Sequence, residues 1–89
     1  MNRELTRGQL VYSLAGNDKG EAYLIWDVIN DTFVKVVNGR KKSVTSPKKK
    51  NIKHLQPTKR FADEFEKKKL RHISDLDVRQ AIDRLTGIE

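Results

Sequence analysis

Cysteine is absent from this 89-residue chain, which excludes a disulfide framework and a cysteine-based zinc site. The same absence fits a reducing compartment. The apolar runs extend over only a few residues, so we expect neither a membrane-spanning segment nor a secretory signal. These features together predict a soluble protein of the cytoplasm.

Imidazole groups are scarce as well, because His54 and His72 are the only histidines. No Ser-His-acid arrangement and no pair of carboxylates at a catalytic spacing accompanies them. Two histidines with scattered carboxylates also lack the ligand cluster of a metal site. The sequence therefore predicts a protein that is not an enzyme and that uses no cofactor or metal.

Acidic residues are missing from a long central segment. Residues 32–62 contain ten Lys or Arg and no Asp or Glu, whereas residues 1–31 carry a balance of −2 and residues 63–89 a balance of −1. The net charge of +7 therefore comes from this basic block. Such a block is typical of a surface that binds a polyanion, and a solubilising charged face is the alternative.

Alternating apolar residues and turn signals predict a β-rich first part. Asn38-Gly39 indicates a type I′ hairpin turn, since both of its central residues need a positive φ. Ser46-Pro47 is expected to end the strand that follows this turn. The expected strands cover residues 8–15, 21–29, 33–37, 40–45 and 51–55.

Two helices are predicted after the strands. Thr58 is expected to cap a first helix over residues 59–71. Ser74 is expected to cap the second, with Asp77 completing a capping box and Gly87 ending the helix. The second helix has an apolar stripe, which either packs on the strands or docks a partner protein: Val78, Ala81, Ile82 and Leu85.

Five short strands left as a flat open sheet would expose their edges. We therefore expect a mainly β fold, with a small SH3-like barrel over residues 1–57. A helical appendage of two short C-terminal α-helices is expected over residues 58–89.

The loop Gly16-Asn-Asp-Lys-Gly20 lies between two predicted strands. A nucleotide-binding P-loop is excluded, because only three residues separate the glycines and a strand follows instead of a helix. The glycines suit a tight turn whatever the function. Lys19 adds a donor for phosphate, and a loop without Cβ atoms at its ends can approach a sugar-phosphate chain closely.

The basic block leaves several roles open. On a strand, Arg40 and Lys42 would share one face and Lys41 the other, so part of this charge could protect a sheet edge. The three lysines after Pro47 are predicted to lie in a loop that reaches a phosphate backbone. His54 is either structural or a contact to phosphate or base.

Aromatic residues offer base-stacking surfaces or core packing. Trp26 shares a strand face with Leu24 and is predicted to belong to the core, as is Phe33. Tyr12 and Tyr23 are the better candidates for surface stacking, although each could instead form a hydrogen bond within the fold.

Two segments carry a resemblance to a known family. Gly8-Gln-Leu-Val11, the Gly16–Gly20 loop and the alternating strand to Val28 resemble the KOW family of RNA-binding modules. Residues 51–58, Asn-Ile-Lys-His-Leu-Gln-Pro-Thr, resemble the segment that closes the barrel in the fourteen-e group of large-subunit ribosomal proteins. Small stand-alone bacterial KOW proteins are similar too. A mild departure is Ala22, where many KOW motifs have glycine or another small residue.

The resemblance covers residues 8–58 and implies an SH3-like barrel that binds structured RNA, with rRNA as the first expectation. It implies a ribosomal or ribosome-associated protein in translation, with neighbouring ribosomal proteins as partners of the helices. A protein-interaction SH3-like module and a DNA-binding basic domain are the alternatives. The expected RNA-binding residues are Gly16, Asn17, Lys19, Gly20, Arg40, Lys41, Lys42, Lys48, Lys49, Lys50, Lys53, His54 and Arg60.

Overall fold

Strands occupy the first two thirds of the chain and helices the last third. The computed structural model describes residues 5–87. Its strands are β1 (Gln9–Ser13), β2 (Ala22–Val28), β3 (Phe33–Val37), β4 (Lys48–Asn51) and β5 (Leu55–Phe61). Its helices are α1 (Glu64–Lys67) and α2 (Asp75–Thr86), and 3₁₀ turns lie at Ile52–His54 and Leu70–His72.

The strands form one antiparallel sheet in the order β4-β3-β2-β1-β5. Its register shifts between Gln9 and Val11 on β1 and between Ile25 and Asp27 on β2. Irregularities of this kind bend a strand and increase its twist, which lets a small sheet curl around its own core. The prediction of a mainly β, barrel-like fold with C-terminal helical segments is confirmed.

Strand β2 is buried on both faces, since Tyr23, Leu24 and Ile25 are each 0% exposed. Tyr23 and Ile25 belong to the core inside the curved sheet, together with residues of β1, β3 and β5. Leu24 belongs to a second core between the outer face of the sheet and the helices. The apolar stripe of α2 joins that second core, so packing on the barrel is its observed use.

The ends of α2 agree with the sequence prediction. The Ser74 hydroxyl accepts from the Asp77 backbone N–H, and the Asp77 carboxylate accepts from the Ser74 backbone N–H. Gly87 ends the helix in the left-handed conformation with φ +77°. Local capping chemistry was sufficient to place this element.

The predicted strand at residues 40–45 is wrong, and β4 lies at Lys48–Asn51 instead. The Asn38 side chain accepts from the backbone N–H groups of Arg40 and Lys42, which folds the chain into a wide loop rather than a two-residue turn. The Asp75 carboxylate of α2 then accepts from the Ser43 hydroxyl at 2.7 Å. Contacts with a distant helix therefore override the local hairpin signal.

The predicted first helix over residues 59–71 is also wrong in its extent. Thr58 does not cap it, because β5 continues to Phe61 and the Thr58 hydroxyl donates to the Leu10 carbonyl at 2.7 Å. Only the short α1 remains, and its C-cap residue Lys68 is extended. The division of the chain after residue 57 into barrel and appendage stays a prediction.

Within residues 5–87, no helix has the length and apolar character needed to cross a membrane. The same residues bring no three metal-ligating side chains together.

Candidate nucleic-acid interface

The glycine loop between β1 and β2 is organised around the carboxylate of Asp18. Ser13 donates to Oδ1 at 2.9 Å, and the Tyr23 hydroxyl donates to Oδ2 at 2.6 Å. The Lys50 ammonium on β4 also donates to Oδ2, at 2.7 Å. The side chains of Asp18 and Lys50 are 18% and 17% exposed, so this ion pair is largely shielded from water. It ties the loop to the opposite edge of the sheet.

The ionisation of this cluster follows from its contacts. Burial by itself would raise the pKa of the Asp18 carboxyl, but the hydrogen bonds from Lys50, Tyr23 and Ser13 outweigh it and hold that pKa far below its usual value. Burial and the hydrogen bond to Asp18 raise the pKa of the Tyr23 phenol well above its usual value. Asp18 is therefore a fixed anion at neutral pH, and Tyr23 a fixed donor.

The tip of the glycine loop is exposed and preorganised. Gly16 and Gly20 have φ values of +85° and +90°, which favour glycine at both positions. The Gly20 N–H donates to the Ser13 carbonyl at 2.8 Å and closes the loop. A Cβ on Gly20 would meet nothing within 4 Å, so its backbone faces open space. Asn17 and Lys19 are exposed beside it.

The lysines after Pro47 lie on a strand, so their predicted place in a loop is wrong. Lys48 and Lys50 pair with Val36 and Val34 of β3, whose side chains lie in the inner core. Lys50 turns to Asp18, whereas Lys48 is exposed. Successive side chains of a strand lie on opposite faces, so Lys49 lies on the outer face. Its ammonium there is 4.3 Å from the centroid of the Phe33 ring.

The 3₁₀ turn after β4 brings Lys53 and His54 to the base of the glycine loop. The His54 carbonyl accepts from the Leu14 backbone N–H at 2.8 Å. The Asn51 side chain caps the turn by accepting from the Lys53 backbone N–H at 3.0 Å. The side chains of Lys53 and His54 are both exposed. They therefore share one region of the surface with the glycine loop.

The basic residues Arg40, Lys41 and Lys42 lie in the wide loop after β3, against α2. The Gly39 carbonyl accepts from the Arg79 guanidinium of α2 at 2.7 Å. Arg40 and Lys41 are exposed, and Lys42 is half-buried. Arg40 borders a cleft of about 220 Å³, which is also lined by Glu21, Ala22, Asn38, Arg79, Ile82 and Asp83. The loop is thus a second basic region that is held by the helix.

Arg60 is directed to the end of α2. Its guanidinium donates to the Leu85 carbonyl, one of the last carbonyls of the helix. A cation at this position also interacts favourably with the negative end of a helix dipole. Arg60 therefore has a structural partner that the sequence did not indicate.

The aromatic predictions have mixed outcomes. Tyr23 is 0% exposed, so its role as a surface base-stacker is wrong. Tyr12 is half-buried and packs against the outer core. Trp26 is half-buried and packs edge-on against Phe65, with ring centroids 5.7 Å apart. Phe33 is also half-buried, at the start of β3 beneath Lys49.

The role of Asp18 is not evident from the sequence. In the sequence, Asp18 is distinguished only as the single acidic residue of the Gly16–Gly20 loop. Among residues 5–87, the ion pairs are Lys50 with Asp18, Arg7 with Asp27, Lys68 with Asp77 and Arg84 with Glu64. Lys50 is thus the one cation of the basic block that these described ion pairs neutralise. The other described cations of the block are absent from these ion pairs.

Comparison with known proteins gives a partial match. No family model matches the chain. The chain is 37% identical over 51 residues to the large ribosomal subunit protein eL14 of Desulfurococcus amylolyticus. Those residues are 57% of this chain and 53% of the relative, so the chain spans about half the length of the curated relative it matches. The similarity supports the resemblance to the fourteen-e group of ribosomal proteins.

Proposed function

We propose that this protein binds structured RNA, with rRNA as its main ligand, as a ribosomal or ribosome-associated protein of the cytoplasm. One observation carries the proposal: the acid-free block contacts a preorganised glycine loop through Lys50 and through the turn that carries the exposed Lys53. The partial similarity to a large ribosomal subunit protein supports the choice of rRNA. Neighbouring ribosomal proteins are the second class of partner.

The proposed mechanism is neutralisation of phosphate groups, with close backbone contact at Gly16 and Gly20. Lys19 lies in the loop, Lys53 at its base, and Lys48 on β4 two residues from the Lys50 that binds Asp18. All three are exposed and can donate to phosphate oxygens. Such contacts follow the shape of an A-form helix, whose base edges lie in a deep and narrow groove. Arg40 and Lys41 supply a second group of contacts from the loop held by α2. The proposed role needs no reaction step and no cofactor.

Lys50 and Arg60 take a different place in this proposal. Lys50 is paired with Asp18, and Arg60 donates to the Leu85 carbonyl. Both act by holding the surface in shape, and Lys49 belongs to the other face of the sheet. Reversal of all three strand lysines to Glu would therefore place a carboxylate beside Asp18 and disturb the fold together with the binding.

The proposal is tested first in cells. The protein is crosslinked to nucleic acid, the attached RNA is sequenced, and the lysate is separated on a sucrose gradient. We expect rRNA fragments and migration with ribosomal particles. Recovery of no rRNA, with the protein among free proteins, would overturn the proposal. Recovery of DNA would favour the DNA-binding alternative.

A second test isolates the loop surface in vitro. The double variant Lys48→Gln with Lys53→Gln keeps the Asp18–Lys50 pair intact, and Lys67→Gln on α1 is the matched control. We expect the double variant to bind a labelled RNA stem–loop more weakly, with a salt dependence reduced by about 1.4–1.8 in slope. The control should retain the wild-type affinity and slope. Equal behaviour of the two variants would remove the loop surface from the binding site.

A further inference from the structure

Two lysines lie directly opposite each other on the outer face of the sheet. Lys35 on β3 is the register partner of Lys49 on β4, and both side chains are exposed. Like charges at directly opposed positions of a sheet destabilise it. A pair of this kind therefore costs stability in the free protein and needs another explanation for its presence.

The nearest acidic neighbour forms no ion pair with either lysine among the described residues. Asp27 on β2 is the register partner of Lys35 on the other side. Its carboxylate accepts from the Arg7 guanidinium at 2.9 Å and from the Val28 backbone N–H at 3.0 Å. None of the ion pairs found among residues 5–87 includes Lys35 or Lys49.

Protection of a sheet edge does not explain Lys35. Strand β3 lies between β2 and β4 in the sheet, so its backbone is paired on both sides. The helices pack against the outer core, which includes Leu24 of β2 and Val37 at the end of β3. Lys35 and Lys49 stay exposed beyond this cover.

Phe33 fixes the position of one of the two ammonium groups. The Lys49 ammonium lies over the Phe33 ring, 4.3 Å from its centroid. A cation held over an aromatic face is restrained without losing its charge or all of its donors. Lys49 is therefore restrained on the same face as Lys35, and it keeps its charge.

We propose that Lys35 and Lys49 form a second phosphodiester-binding site on the outer face of β3 and β4, with Phe33 as a positioning residue. The proposal rests on the proposed RNA-binding function and adds a contact on the face of the sheet opposite Lys48 and Lys50. The bound RNA then passes over the edge strand β4 and is held on both of its sides.

The test uses the full chain, a labelled RNA stem–loop, and binding measured over a range of potassium chloride concentrations. The variants are Lys35→Gln and Lys49→Gln, with Lys67→Gln as the control. We expect each of the first two to weaken binding several-fold and to lower the salt slope by about 0.7–0.9. The control keeps the wild-type slope. A Lys35→Gln variant that binds like the control would overturn the proposed site.

The stability of the Lys35→Gln variant is an independent measurement, and it should not fall together with RNA binding. Removal of Lys35 relieves the repulsion, so Lys35→Gln should unfold at an equal or higher urea concentration at low salt while its RNA binding falls. A lysine that served the fold would lose stability and binding together, and that result would contradict the proposal. Stem–loop binding absent in the wild-type protein would instead refute the RNA-binding function itself.

The role of Phe33 is tested separately by Phe33→Leu. We expect weaker binding in the wild-type background and no further loss when Lys49→Gln is already present, because Phe33 acts through Lys49. Equal losses in both backgrounds would show that Phe33 does not act as a positioning residue.

Discussion

Replacement of Asp18 by Asn should destabilise the protein strongly, although the change removes a single charge. The Asn amide still accepts from Ser13, and the Tyr23 hydroxyl can turn to accept from its NH₂ group. Lys50 loses its anion in either orientation of the amide, because it faces the NH₂ group in this one and a neutral carbonyl oxygen in the flipped one. The substitution therefore leaves a largely shielded cation without a counter-charge.

The magnitude follows from that shielding. Removal of one partner of a fully buried ion pair costs about 3–5 kcal/mol. The side chains here keep 17% and 18% of their exposure, so water recovers part of the loss. We expect Asp18→Asn to lower the free energy of unfolding by about 2–3 kcal/mol. For a domain of this size, the melting temperature would fall by about 10–20 °C.

Urea unfolding followed by Trp26 fluorescence measures this loss. The control Asp31→Asn removes the same charge from an exposed loop residue and should stay within about 0.5 kcal/mol of the wild type. In the double variant with Lys50→Met, we expect a loss smaller than the sum of the single losses by more than about 1 kcal/mol. Additive losses, or an Asp18→Asn variant as stable as the control, would show that the Asp18–Lys50 pair does not stabilise the fold.

Further predictions concern pH, a glycine and a helix cap. Because the pKa of Asp18 is lowered on folding, the stabilisation by its carboxylate is present above the ordinary pKa of 3.8 and is lost progressively as the pH falls below that value. In acid titrations followed by circular dichroism, the difference in stability between wild type and Asp18→Asn should therefore shrink. Gly39→Ala places a Cβ 2.5 Å from the Asp75 carbonyl oxygen at a φ of +76°, so urea unfolding should show a loss of more than about 2 kcal/mol in the free energy of unfolding. A Cβ on Gly20 meets nothing within 4 Å, so Gly20→Ala should lose only about 1 kcal/mol. Equal losses at the two glycines would contradict this account. Ser74→Ala should lose about 1 kcal/mol in the same assay, and an unchanged midpoint would show that the cap is dispensable.

Much of the fold could be predicted because its signals are local. Strands β1 to β3 follow from alternation of apolar residues, and α2 follows from Ser74, Asp77 and Gly87 at its ends. The capping box and the left-handed glycine are short-range features that need no knowledge of the rest of the chain.

The errors arise where distant contacts decide the structure. Strand β4 reads Lys-Lys-Lys-Asn and has no apolar alternation, so only its pairing with β3 identifies it. The loop before it is held by Asp75, which lies 31 residues from Val44. Thr58 is a good capping residue, but its pairing with β1 keeps it in a strand. No local pattern contains this information.

The candidate site was predicted in composition but not in arrangement. The basic block identified the cations, yet it could not separate Lys50, which binds Asp18, from Lys49, which lies over Phe33. That separation depends on the register between β3 and β4. A shift of one residue would exchange the faces of all three strand lysines.

The pairing of the first strand with the last has a consequence for the order of folding. The innermost pair of this ladder joins Ser13 on β1 to Leu55 on β5, so a segment of about 40 residues must close before the ladder forms. The chain loses this conformational entropy before the stabilising contacts of the ladder have formed. We therefore expect slow folding, in milliseconds to seconds rather than the microseconds of small helical bundles. A fragment that ends before β5 should not hold the curved sheet at all.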